Sequence, residues 1–163
     1  RMLRTLAKFD NVTFNIFTTI SREYFIKLGI KRDSLVCIPS LDRSSFINEI
    51  REGDIMLFPH GFSGGLAQIE YETIFPTKTI EYLISGKPIL YHGPRNAFIT
   101  GFLKENKCAL IVDEIDEKAI GDGLISLLQN KTLREQLTRN ALTVAGKFHN
   151  ENVINEFKRQ IKI

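Results

Sequence analysis

The sequence predicts an α/β domain with a mainly parallel open sheet flanked by helices. Three observations carry this. Five short apolar runs alternate with amphipathic stretches along 163 residues. After the first, which alternates, the runs "LVCI", "IMLF", "PILY" and "ALIV" are uninterrupted by polar residues, as strands covered on both faces are. The carboxyl ends of three of them run into Pro-Ser, Pro-His-Gly or His-Gly-Pro, where Pro, Gly and Ser turn the chain out of the sheet.

The elements follow in order. "VTFNIFTTI", Val12 to Ile20, reads as a strand from its β-branched content and alternation. "SREYFIKLGI" reads as a helix that Ser21 caps, with Phe25 and Leu28 on one face and Gly29 as its stop. "SLVCIP" is a strand ending at Pro39. "DRSSFINEIREG" is a helix with Asp42 near its start, Phe46, Ile47 and Ile50 on one side, and Gly53 at its end. "DIMLFP" is a strand ending at Pro59.

"HGFSGGLAQIEYETI" opens as a loop rich in glycine (Gly61, Gly64, Gly65). A helix over Thr77 to Ser85 follows, with Ile80, Leu83 and Ile84 against the sheet. "PILYH" is the next strand, "NAFITGFLKEN" a helix and "CALIV" the last strand. From Glu114 onward the pattern is helical. "TLREQLTRNALTVAGKFH" starts at a Thr cap, and "ENVINEFKRQIKI" closes the chain.

Composition excludes several classes. Net charge is +3, from 22 basic and 19 acidic residues. That is too mild for a nucleic-acid protein, and no basic-aromatic stripe is present. No apolar run reaches the roughly eighteen residues of a membrane span. Cys37 and Cys108 sit in apolar segments and read as core thiols. No His, Cys, Asp or Glu spacing suggests a metal, so neither metal nor cofactor is expected. Neither G-x-G-x-x-G nor G-x-x-x-x-G-K-[ST] occurs, which speaks against dinucleotide and P-loop proteins.

Chemistry is expected where the strands end, because open parallel sheets bind ligands at their carboxyl edge. "IFPTKTIEYLISGKP", Ile74 to Pro88, is the most informative stretch. Pro76 lacks an N–H and suits a helix start. The N–H groups of Thr77, Lys78 and Thr79 are then free to hold an anion, and Lys78 adds charge. Glu81 lies about one turn further on, beside such an anion. A carboxylate there can accept two hydrogen bonds from a diol. The plainer reading is an early-turn Glu that favours the helix dipole and a solvated Lys.

"FPTKTIEYLISGKPIL" resembles the core motif of the GT-B glycosyltransferases, retaining group 1 of family 4 type. "REGDIMLFPH" is similar to the strand upstream of that motif, and "CALIVDEIDEKAIGDGLISLLQNKTLREQLTRNAL" to the tail downstream. The likeness covers nearly the whole chain. It implies a Rossmann-like fold over residues 1–163, one half of a GT-B enzyme, with a nucleotide-sugar as donor. Glu81 would meet the donor ribose, and Thr77, Lys78 and Thr79 the distal phosphate. Ile38, Pro39 and Leu41 would meet the nucleobase, while His60 and Gly61 would border the sugar. The acceptor would be a saccharide or lipid-linked molecule, bound by an N-terminal domain absent from this sequence. The setting would be the cytoplasm or the inner face of the membrane. "FKRQIKI" permits peripheral membrane association, although its ordinary reading is a solvated helix tail.

Two departures from the family pattern stand out. Many of these enzymes carry a first glutamate eight residues before the second; here that position is Thr73, with Glu72 and Glu70 nearby. Glu72 is the catalytic candidate if the loop shifts by one. The family domain also opens with a strand and a glycine turn, and this chain is expected to lack that strand, which would lie between Val12–Ile20 and Asp54–Phe58. The expectation is a piece of a two-domain enzyme that binds nucleotide weakly and does not turn over alone. A non-catalytic nucleotide or sugar-phosphate binding module is the alternative.

Overall fold

The computed structural model describes residues 1–10, 12–30, 33, 35–38, 42–63 and 67–161. Expected positions Pro39 and Leu41, and glycines 64 and 65, lie outside the described residues. The chain opens with α1 (Met2–Leu6), followed by β1 (Phe14–Phe17), α2 (Arg22–Lys27), β2 (Leu35–Ile38), α3 (Arg43–Glu52) and β3 (Met56–Pro59). Then come α4 (Gln68–Thr73), α5 (Thr79–Ile84), β4 (Ile89–His92), α6 (Phe98–Glu105) and β5 (Leu110–Val112). Then follow α7 (Glu117–Gln129), α8 (Lys131–Ala145), a 3-10 turn (Gly146–Phe148) and α9 (Asn150–Ile161).

Among the described residues all strand pairs are parallel. β1 pairs with β2 in register Phe14 to Leu35, β3 with β4 in register Met56 to Ile89, and β4 with β5 in register Leu90 to Leu110. They form two sheets, β1-β2 and β3-β4-β5. Among the described residues no strand hydrogen bond joins them. The break separates β1 from β3, where the family resemblance expects a further strand.

Local chemistry explains most boundaries. Asp42 caps α3: its Oδ1 accepts the N–H of Ser44 at 2.9 Å and of Ser45 at 3.0 Å. The hydroxyls of Ser44 and Ser45 donate to the same carboxylate. These bonds, Ser44's first, favour the charged form and hold Asp42 below the usual carboxylate range. Gly29 (φ +88°) and Gly86 (φ +71°) take the left-handed turn beyond α2 and α5 that a side chain would resist.

Some boundaries differ from the expectations. Ser21 is the N-cap of α2, but its hydroxyl makes no capping bond. Leu28 is the residue after that helix and is exposed, while Phe25 is buried. The cap of α8 is Asn130, whose side chain accepts the Leu133 N–H at 2.9 Å; Thr132 lies inside the helix. α4 was hidden in sequence behind the glycine-rich stretch.

The core is built on both faces of β4, whose four residues are all buried. Leu90 joins Met2, Leu6, Phe14, Leu35, Val112, Ile120 and Leu124 under α1 and α7. Ile89 and Tyr91 point the other way, to Phe58, Leu83, Ile99, Leu103 and Val144 under α5, α6 and α8. This is the alternation a strand imposes. α7 lies close on the sheet at Gly123, where a Cβ would come within 3.0 Å of Leu110 and 3.1 Å of Leu90.

Candidate functional site

Parallel pairing gathers the carboxyl ends of β3, β4 and β5 along one edge. β3 runs out through Pro59 into His60, β4 through His92 into Gly93, and β5 through Val112 into Asp113. The His60 N–H donates to the His92 carbonyl at 2.8 Å and that of Gly93 to Val112 at 3.3 Å, so the three ends are tied in series.

His60 Nε2 lies 3.0 Å from the Tyr71 carbonyl. A carbonyl only accepts, so Nε2 carries the proton and Nδ1 of the neutral ring is an acceptor. The same argument applies to His92, whose Nδ1 lies 3.1 Å from the Val112 carbonyl. His92 is 4% exposed and Phe62 packs on its ring. Burial lowers its pKa, against the opposing pull of the Val112 bond. Tyr91, fully buried below, has its phenol pushed up to about 12, by burial first. Its hydroxyl is 2.8 Å from that of Thr100, which also lies 2.6 Å from the Pro94 carbonyl. Thr100 has one proton and Pro94 can only accept. Thr100 therefore donates to Pro94, and Tyr91 donates to Thr100.

Gly61 and Gly93 let these rings approach. A Cβ on Gly61 would sit 2.8 Å from the Tyr71 ring, and one on Gly93 would meet Tyr91 Oη and His60 Cβ. Glu72, on the last turn of α4, accepts Asn96 Nδ2 at 2.7 Å and Gln68 Nε2 at 3.1 Å. The cation at the end of β4 is already committed. Arg95 forms a two-bond pair with Asp113 at 3.1 and 3.2 Å and reaches Glu114 at 2.9 Å. Lys104 also bonds Asp113, and the Arg95 bond is the first cause of a lowered Asp113 pKa.

α5 begins later than the pattern suggested. Thr77 and Lys78 form a turn, and the helix runs over Thr79–Ile84. Thr79 corrects one expectation: its N–H donates to Pro76 O at 2.9 Å and its hydroxyl to the same oxygen at 2.6 Å. That amide is spent on the turn. Among the described residues no acceptor takes the N–H of Thr77 or Lys78, and Lys78 forms no ion pair. Glu81 is exposed, beside Tyr82. Tyr82 stacks on Phe58 at 4.4 Å; burial, then the Glu81 charge, raises its pKa. Leu83 is buried and Ile80 packs against the same core, whereas Ile84 is 48% exposed and does not face the sheet as expected.

The structure thus brings His60, Gly61 and Glu72 to one edge and places Thr77, Lys78 and Glu81 on the segment that leaves it. Ile38 ends β2 in the other sheet. His92 and Asn96 were missed in sequence. Their signal was position alone, at and just past the end of "LYHGPRN". Among the described residues no group of three His, Cys, Asp or Glu is placed to hold a metal, and no helix is long and apolar enough to cross a membrane.

No protein-family profile matches the chain, and no curated protein does. Solved structures do match. WaaG, a glycosyltransferase involved in lipopolysaccharide biosynthesis, superposes with TM-score 0.64 at 16% identity, over 88% of this chain and 38% of that one. The E. coli trehalose-6-phosphate protein bound with UDP-2-fluoro glucose superposes with TM-score 0.58 at 16% identity, over 90% and 36%. The α,α-trehalose-phosphate synthase (UDP-forming) of Burkholderia xenovorans, in complex with glucose-6-phosphate, gives TM-score 0.58 at 18% identity, over 99% and 39%. The chain spans less than two fifths of the length of each. At these identities the likeness is one of fold: a Rossmann-like α/β half-domain of the GT-B type.

Proposed function

We propose that this chain is the donor-binding half of a glycosyltransferase. It holds a nucleoside-diphosphate sugar for transfer to a saccharide or lipid-linked acceptor that a second domain presents. The observation that carries this is the Pro76–Glu81 segment: two N–H groups and a lysine that are unpaired among the described residues, and an exposed carboxylate one turn on, leaving the strand-end edge of a fold shared with glycosyltransferases.

In this reading Glu81 accepts the ribose hydroxyls. The amides of Thr77 and Lys78 and the Lys78 ammonium hold the distal phosphate, and Thr79 serves by fixing the turn. Ile38, with Pro39 and Leu41, meets the base. His60 and Gly61 border the sugar. During transfer the bond between the sugar and the diphosphate breaks, and negative charge grows on the leaving oxygens. In this reading Lys78 and the two amides meet that charge as it develops, which favours the transition state over the ground state.

Calorimetric titration of the chain with UDP, GDP, ADP and dTDP tests the reading. One or more should bind, and Glu81→Gln should weaken that binding by about tenfold or more, the worth of hydrogen bonds to a charged group. Failure of every nucleotide to bind the folded chain would refute it. A second reading, a non-catalytic nucleotide or sugar-phosphate binding module, is favoured by Thr73 standing where the resemblance expects a glutamate. Nucleotide binding without transfer once a cognate acceptor domain is supplied would select it.

A further inference from the structure

We propose that α9 is a self-association seam: two copies of this chain pair through it, antiparallel and about a two-fold axis.

α9 buries none of its residues, and the element it touches most is the 3-10 turn before it. Yet Val153, Ile154, Phe157 and Ile161 are large and apolar, and between 46% and 62% exposed. At about 100° per residue they fall within a stripe about 100° wide. Asn150, Ile154, Phe157 and Ile161 follow one another at spacings of four, three and four, the seam spacing of paired helices. Such a stripe forms where a helix meets another surface.

The charges beside the stripe select that surface. Over Asn150–Ile161, Glu151 and Glu156 balance Lys158 and Arg159. A helix that lies on an anionic bilayer is instead rich in Lys and Arg. Arg159, opposite the stripe, holds Glu156 through two bonds at 2.9 and 2.7 Å. Glu151 and Lys158 stand seven residues apart along the other border of the stripe. Among the described residues neither has an ion-pair partner.

A second, antiparallel α9 supplies both partners. Setting Ile154 of one copy against Phe157 of the other places Asn150 against Ile161 and brings Glu151 beside Lys158. The two-fold axis repeats each contact, so one patch serves both sides. A parallel pair would face Glu151 and Lys158 with the uncharged border of Val153 and Gln160. α9 is about 18 Å long, which makes the seam smaller than the roughly 800 Å² per partner of a tight complex. The dimer is accordingly weak, half formed at on the order of 100 μM.

Sedimentation equilibrium of the chain from about 10 to about 500 μM tests this, with the melting temperature of the dilute chain as the folding control. The mass should rise from one copy towards two. Phe157→Ser should remain monomeric throughout. Glu151→Lys and Lys158→Glu should each weaken pairing about tenfold, because like charges then meet twice. Mixed one to one, these two variants should pair as tightly as the unsubstituted chain, because opposite charges meet again at both contacts. A chain that stays monomeric at about 500 μM would overturn the proposal. So would pairing that neither charge reversal alters, or a mixture that fails to recover it. A monomer captured by vesicles of phosphatidylglycerol and phosphatidylcholine would also overturn it, by making the partner a lipid surface.

Discussion

Gly93→Ala is the sharpest perturbation of the strand-end wall. The added methyl would meet Tyr91 Oη and come within 2.7 Å of both Tyr91 Cζ and His60 Cβ. Carbon atoms in contact prefer about 3.5–4.0 Å, so the overlap approaches ~1 Å on two sides. Tyr91 is fully buried and cannot swing away. A Cβ such as that of His60 moves only with its backbone. Overpacking of this kind costs about 1–3 kcal/mol, and two rigid neighbours place it at the upper end. At about 2–4 °C per kcal/mol for a chain of this size, the melting temperature should fall by roughly 6–12 °C. Adding Tyr91→Phe removes the nearest overlap and should restore part of the loss. Scanning calorimetry of the two variants reads both effects. A melting temperature within about 2 °C of the unsubstituted chain for Gly93→Ala would show that the wall is not packed as described.

Further outcomes follow from other residues. His92 takes up its proton below the ordinary value of 6.5 when folded, so the unfolded chain binds more protons in that window. Stability should therefore drop as pH falls through about 6.5 and level off below the folded value, and His92→Gln should flatten this slope in a melting series from pH 8 to 5.5. Asn130→Ala removes the α8 cap and should cost about 1 kcal/mol, or about 2–4 °C. Leu83→Ala empties a fully buried site under α5 and should cost about 2–5 kcal/mol by denaturant titration.

The strands were legible because each is a short apolar run bounded by turn residues, a local property. The helix starts were less so. Asn130 and Thr132 are both acceptable caps, and which one turns out of the helix depends on how α7 ends. α4 buries one side chain, Tyr71, and therefore shows almost no periodicity. Thr79 looked like a free amide because helix starts usually leave one. The Pro76 carbonyl takes it through a turn that precedes the helix. In the site, Glu81 and Lys78 could be read from one segment. The Asn96–Glu72 bond joins positions 24 apart and has no local signature. The bonds of Arg95 to Asp113 and Glu114, 18 and 19 positions on, have no local signature either.

The split between the sheets has a consequence for the proposed site. Ile38, at the proposed base-binding corner, belongs to β1-β2, while α5 with Lys78 and Glu81 packs on β3-β4-β5. No strand hydrogen bond among the described residues fixes one relative to the other. What joins them is side-chain packing: Phe14 and Leu35 from the first sheet, Leu90 and Val112 from the second, with Met2, Leu6, Ile120 and Leu124 between. Backbone ladders hold register rigidly, whereas packed side chains loosen when a cavity opens. Leu6→Ala, at a fully buried position in α1, should therefore act unevenly. Native-state hydrogen exchange should show faster exchange for the amides of Leu35–Ile38 and Phe14–Phe17, with those of Ile89–His92 little changed, because the two sheets open as separate units. Nucleotide affinity should fall as well, since in the proposed site the ligand spans both. Equal loss of protection in the two sheets would mean that they open together, and that the corner at Ile38 is held to α5 by more than this shared core.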